Sequence, residues 1–140
     1  MKPIFTIFSL LIYSLIKGQP LSIEKSIHWK IYDISGSNLF SYTVDTVKKF
    51  PNSPINEDSI HFYLSKLSIW PSDAPPLWMG VHIATYELNG SERKVDISLY
   101  GGFFYDEETK LHYQISEDKI DMWTAFIRQE FMKIHEKTNK

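Results

Sequence analysis

The pattern of this sequence predicts an α+β domain in which an antiparallel sheet of about four to five strands is packed on one face by a long C-terminal helix and a shorter middle helix. Three observations predict it. Two alternating apolar and polar runs flank Asn89-Gly90, a dipeptide suited to a tight hairpin. Ile120, Trp123, Ile127, Phe131 and Ile134 recur at three- and four-residue steps, the spacing of a helix stripe that lies on a sheet. Strand-like segments are grouped rather than alternating regularly with helices, as a parallel sheet would require.

The apolar run over residues 4–16, behind Lys2, is read as an export signal and not as part of the domain. It is too short for a membrane span, which needs about 20 residues. Cleavage after Gly18 is expected, although Ile16 stands where a small residue is preferred; an uncleaved signal anchor and a buried helix are the alternatives. The chain of 140 residues then divides into a leader, 1–18, and a single domain, 19–140. Losing Lys2 and Lys17 takes the net charge from −2 to −4, which argues against nucleic acid or an anionic membrane surface as partner. The chain has no cysteine, so thiolate catalysis, cysteine-based zinc sites and disulfides are all excluded. Stability must come from burial, for which 15% aromatic residues provide the means. An exported domain of this size without disulfides points to a bacterial periplasmic or secreted protein.

Along the domain, residues 26–34 alternate as a strand, with Ile27, Trp29 and Ile31 on one side and His28, Lys30 and Tyr32 on the other. A turn at 35–38 leads to residues 39–47, rich in β-branched and aromatic side chains and read as a returning strand; the spacing of Leu39, Thr43 and Val47 also permits a short helix. Asn56 caps a helix expected to reach residue 69, with Ile60, Tyr63, Leu64 and Leu67 inward and Ile55 as its staple. Pro71 stops it. In the hairpin, a three-residue loop at 88–90 would set Val81 against Ile97 and Ile83 against Val95, matching apolar with apolar; a two-residue loop would mix apolar with polar. The longer loop is therefore expected, with His82 opposite Asp96. Residues 103–105 continue as a strand after Gly101-Gly102, the acidic run 106–108 makes a turn, and Leu111, Tyr113 and Ile115 form one face of a closing strand. Ser116 is placed to cap the long helix.

Candidate chemistry is sparse. His82 with Asp96, and Ser98 on the same face, are the only arrangement resembling a hydrolytic site, against the plainer reading of an exposed polar pair, because no nucleophile elbow accompanies them. His28, His61, His82 and His112 show no metal-ligand spacing, and the acidic turn lacks the pattern of a calcium loop. No metal and no cofactor is expected. Two aromatic surfaces stand out as places for a ligand or partner, each beside a plainer reading: Tyr100, Gly101, Gly102, Phe104 and Tyr105, where paired glycines either allow close backbone approach or make a bend that turns Phe103 into the core, and Trp70 with Trp78 around a Pro-rich connector, which either form an exposed patch or lid the core. The expected function is a non-enzymatic binding or inhibitor-type module of the cell envelope or medium, its partner another envelope or secreted protein or a glycan. A small hydrolase or carbohydrate-active enzyme using His82 and Asp96 is the alternative.

Overall fold

The computed structural model describes residues 23–37, 41–72, 74–77 and 81–138. The expected leader, residues 1–18, and Trp78 lie outside them. A 3₁₀ turn, Ile23–Lys25, precedes β1 (Ile27–Tyr32), a one-turn helix α1 (Val44–Val47), β2 (Asn52–Pro54), α2 (Glu57–Leu64) and β3 (Ser68–Ile69). The chain continues through β4 (Val81–Leu88), β5 (Ser91–Ser98), β6 (Phe103–Asp106) and β7 (Leu111–Gln114) to a 3₁₀ turn, Glu117–Lys119, and the 19-residue α3 (Ile120–Thr138). All strand pairs are antiparallel, and the single sheet runs β2-β1-β4-β5-β6-β7-β3.

The α+β class, the long C-terminal helix and the shorter middle helix are as expected, but the sheet has seven strands rather than four to five. The additional strands are β2 and β3, the two edges of the sheet. Each is three residues or fewer and carries no alternation of its own, so its existence follows from the neighbour it pairs with. β3 also shortens α2: Ser68 and Ile69 pair with Gln114 and Tyr113 instead of extending the helix. Residues 44–47 are helical rather than strand, started by Thr43, whose Oγ1 accepts the Thr46 N–H at 3.2 Å.

The hairpin register overturns the three-residue loop. Leu88 pairs with Ser91, leaving Asn89 and Gly90, both at positive φ (52° and 76°), as a two-residue turn. Val81 therefore faces Ser98, Ile83 faces Asp96, and His82 faces Ile97. Apolar-to-apolar matching does not set this register, because the strands do not have one apolar face and one polar face. Both faces of these strands are largely buried, the first under helices and the second in part under the segment around α1.

The helix-covered face carries the main core. Row by row it reads His82, Ile97, Phe104, Tyr113 and Ile69, then Ile31, Ala84, Val95, Asp106 and Leu111, then Tyr86 beside Arg93. Trp123, Ile127 and Ile134 of α3 and Ile60 and Leu64 of α2 complete it. Glu130 shares the buried side of α3, its carboxylate paired with Lys133. On the opposite, outer face, Tyr32, Ile83 and Val47 form a smaller cluster with Ile34, Tyr42 and Phe50. Burying side chains of this size contributes about 1.5–3 kcal/mol each.

Candidate functional site

The residues singled out by sequence divide among different parts of the molecule. His82 is buried on the helix-covered face with its ring against Phe131 of α3, centroids 4.5 Å apart. Asp96 lies on the outer face opposite Ile83 and Tyr105, and accepts a hydrogen bond from Lys94 Nζ at 2.9 Å. Ser98 is buried opposite Val81, its hydroxyl donating to the Tyr100 carbonyl at 2.8 Å. The two-residue turn thus puts His82 on one side of the sheet and Asp96 and Ser98 on the other, and the three do not form a site.

The aromatic candidates separate as well. Phe104 is a core residue with 1% exposure and cannot line a groove. Gly101 and Gly102 make the turn between β5 and β6 at φ of 79° and 65°; a Cβ on Gly102 would sit 3.1 Å from Ile120 Cγ1, so this glycine admits the start of α3 rather than a ligand. Tyr100 is exposed beside α3, where Arg128 donates to its hydroxyl at 3.3 Å. Trp70 and Tyr105 belong to the outer face of the β6–β7 side. The Trp70 indole donates to the Ala74 carbonyl at 3.0 Å and meets Phe103 edge-on, and Tyr105 packs against His112 with centroids 4.7 Å apart. Tyr105 and His112, with Val81 and Asp96, border a shallow groove of about 340 Å³.

A larger cleft, about 650 Å³, opens on the same outer face at the β1–β2 side, and sequence reasoning missed it. Lys30 and Tyr32 of β1, Asn52 and Pro54 of β2, Glu87 of β4 and Glu92 of β5 all project to that face, as the cross-strand pairs require. Lys48 at the end of α1 closes one side through an ion pair with Glu92. His28 forms the other wall. It stands in a bulge, since Ile27 pairs with Glu87 and Lys30 with Thr85, leaving two β1 residues opposite Tyr86 alone. Its φ of 55° is left-handed, a conformation that costs a non-glycine residue on the order of 1 kcal/mol. Two carboxylates hold it there. The His28 backbone N–H donates to Glu57 Oε1 at 2.7 Å, and Nδ1 lies 3.0 Å from Glu87 Oε2. The floor is firm because Trp29 and Tyr86 stack at 4.6 Å and Tyr32 hydrogen-bonds Thr85 at 3.0 Å.

The only advance signal of this cleft was the outward alternation of His28, Lys30 and Tyr32. Its carboxylates come from the start of α2 and from the β4–β5 hairpin, and Glu57 and Glu87 are joined by a bulge that no residue type announced. A neighbouring polar cluster is structural: Lys94, 6% exposed, bridges Asp96 and Glu107. Burial works to raise the Glu107 carboxyl, but hydrogen bonds from Lys94 and Lys110 outweigh it and hold the group below the ordinary carboxylate value. Among the described residues no three His, Asp or Glu side chains converge as metal ligands, and no helix is long and apolar enough to cross a membrane. Comparison of the chain with protein-family models, curated proteins and solved structures gave no match.

Proposed function

We propose that this protein is an exported, non-enzymatic binding module of the cell envelope or medium, and that it recognises its partner on the sheet face opposite the long helix. The observation that carries this reading is the 650 Å³ cleft at the β1 bulge, whose charged walls come from β1, β4, β5, α1 and α2. Its volume falls within the range of about 300–1,000 Å³ typical of ligand sites. The apolar run over residues 4–16 behind Lys2 supports the exported address. The partner is an envelope or secreted protein, or a glycan. A hydrolase built on His82 and Asp96 is not put forward, since the hairpin register separates them.

The test captures partners from the host's envelope fraction with the wild-type chain and with a variant carrying Lys30→Glu and Tyr105→Ala. A partner retained by the wild type and lost by the variant supports the reading. Equal recovery by both, or recovery of the chain in the cytosol with its first residues intact, counts against it.

A further inference from the structure

The charges in the cleft narrow what it can hold. Its cations are Lys30 and Lys48, its anions are Glu57, Glu87 and Glu92, and His28 adds an imidazole. Lys48 is neutralised by Glu92. His28 engages one oxygen of Glu57 through its backbone and one of Glu87 through its ring. Lys30 is exposed, and among the described residues no carboxylate engages it. The site therefore offers one uncommitted ammonium together with the second oxygens of Glu57 and Glu87, which are acceptors only.

With Glu92 paired to Lys48, a dianion such as phosphate would face the two remaining carboxylates with a single free cation to meet it, and an apolar ligand would strip water from charged walls without return. A ligand with one negative group and several hydrogen-bond donors satisfies both halves of the site. We propose that this cleft binds a small molecule carrying one carboxylate and neighbouring hydroxyl or ammonium donors, its carboxylate on Lys30 and its donors on Glu57 and Glu87. Sugar acids and amino acids share that chemistry. The left-handed His28 fits this role: the bulge pins the imidazole and both glutamates in one arrangement before the ligand arrives, which lowers the ordering cost of binding. The inference rests on the outer face being the recognition surface and names the ligand class for it.

The test titrates the full chain by calorimetry with galacturonate, N-acetylneuraminate, serine, galactose and inorganic phosphate. Saturable binding of a sugar acid or of serine is expected, with galactose and phosphate at least tenfold weaker. Which of the two classes, sugar acid or amino acid, binds identifies the source. Lys30→Gln should weaken binding about tenfold or more, the loss of one charge-assisted hydrogen bond, with the melting temperature of the free protein unchanged. Galactose binding as well as the acids, phosphate binding as well as the acids, an unaffected Lys30→Gln variant, or no saturable binding by any probe each overturns the proposal. If no carboxylate binds while the outer-face variant still loses a captured partner, the ligand class fails and the wider reading stands.

Discussion

Asp106 is fully buried and owes its place to two donors, the Tyr86 hydroxyl at 2.9 Å on Oδ1 and the Thr109 backbone N–H at 2.8 Å on Oδ2. Burial, reinforced by this carboxylate, pushes the Tyr86 phenol well above its ordinary value, so it stays a donor across the working pH range. Tyr86→Phe keeps the stack on Trp29 and leaves a buried carboxylate oxygen without its partner. The expected cost is about 1.5–3 kcal/mol, read as a lower urea midpoint at unchanged slope. The glycines make a second comparison. Gly90 and Gly102 both have positive φ, but a Cβ on Gly90 meets open space whereas one on Gly102 meets Ile120 and Ile115. Gly90→Ala should cost about 1–2 kcal/mol from backbone strain alone, and Gly102→Ala distinctly more. Equal losses in thermal or urea denaturation would show that the close packing at Gly102 relaxes freely.

The two long-range helices begin differently although both were expected to be capped. Asn56 Oδ1 accepts the Ser59 N–H at 2.9 Å, with Ile55 and Ile60 buried on either side of the cap. Ser116 makes no side-chain cap bond; a 3₁₀ turn intervenes before α3, and its hydroxyl is buried without a partner among the described residues. Asn56→Ala should therefore lower stability by about 1 kcal/mol, while Ser116→Ala should be neutral or slightly stabilising, as denaturant midpoints would record. A loss at Ser116 equal to that at Asn56 would contradict this assignment. The strands show the same dependence on neighbours. β4 and β5 were legible because Asn89-Gly90 and their β-branched content act locally, but which side chains face inward was not, since two opposed coverings bury both faces. Residues 44–47 read as strand by composition and are helical, because Thr43 supplies a cap and Val47 packs onto Tyr32 and Ile83.

At the level of the folded chain, β1, β4 and α3 meet around Asp33, His82 and His135. His135 Nε2 lies 3.3 Å from Asp33 Oδ2, and Phe131 contacts both histidine rings. Burial holds the His82 imidazole below its ordinary 6.5; the Asp33 charge opposes this and the Arg128 charge adds to it. A histidine whose folded value is lower than its unfolded value takes up more protons when unfolded, so its stabilising contribution is complete above pH 6.5 and is lost as pH falls below it. His112, also lowered by burial, acts in the same direction. Asp33 contributes in a more acid range. Burial raises its carboxyl, but the bonds from Ser35 and the charges of His135 and His82 hold it below 3.8, so its contribution is present above that value and declines as pH falls past it. The melting temperature should be flat above about pH 7 and fall between pH 7 and 5. His82→Phe should reduce that slope, leaving the part due to His112. An unchanged slope would mean that the His82 imidazole is not the group responsible.

Local chemistry was enough to establish the α+β class, the long amphipathic C-terminal helix, the Asn56 cap and the position of the central hairpin, because spacing, caps and turn residues act within a few positions of one another. It also makes the export signal and the cysteine-free core readable as expectations. Three-dimensional packing settled the edge strands, the hairpin register, the burial of Phe104 and Asp106, and the separation of His82 from Asp96. It also created the β1 cleft, where residues from 28 to 92 meet at a bulge. Such features depend on which surfaces press on each face of the sheet, and a one-residue change in pairing reverses every side chain it touches.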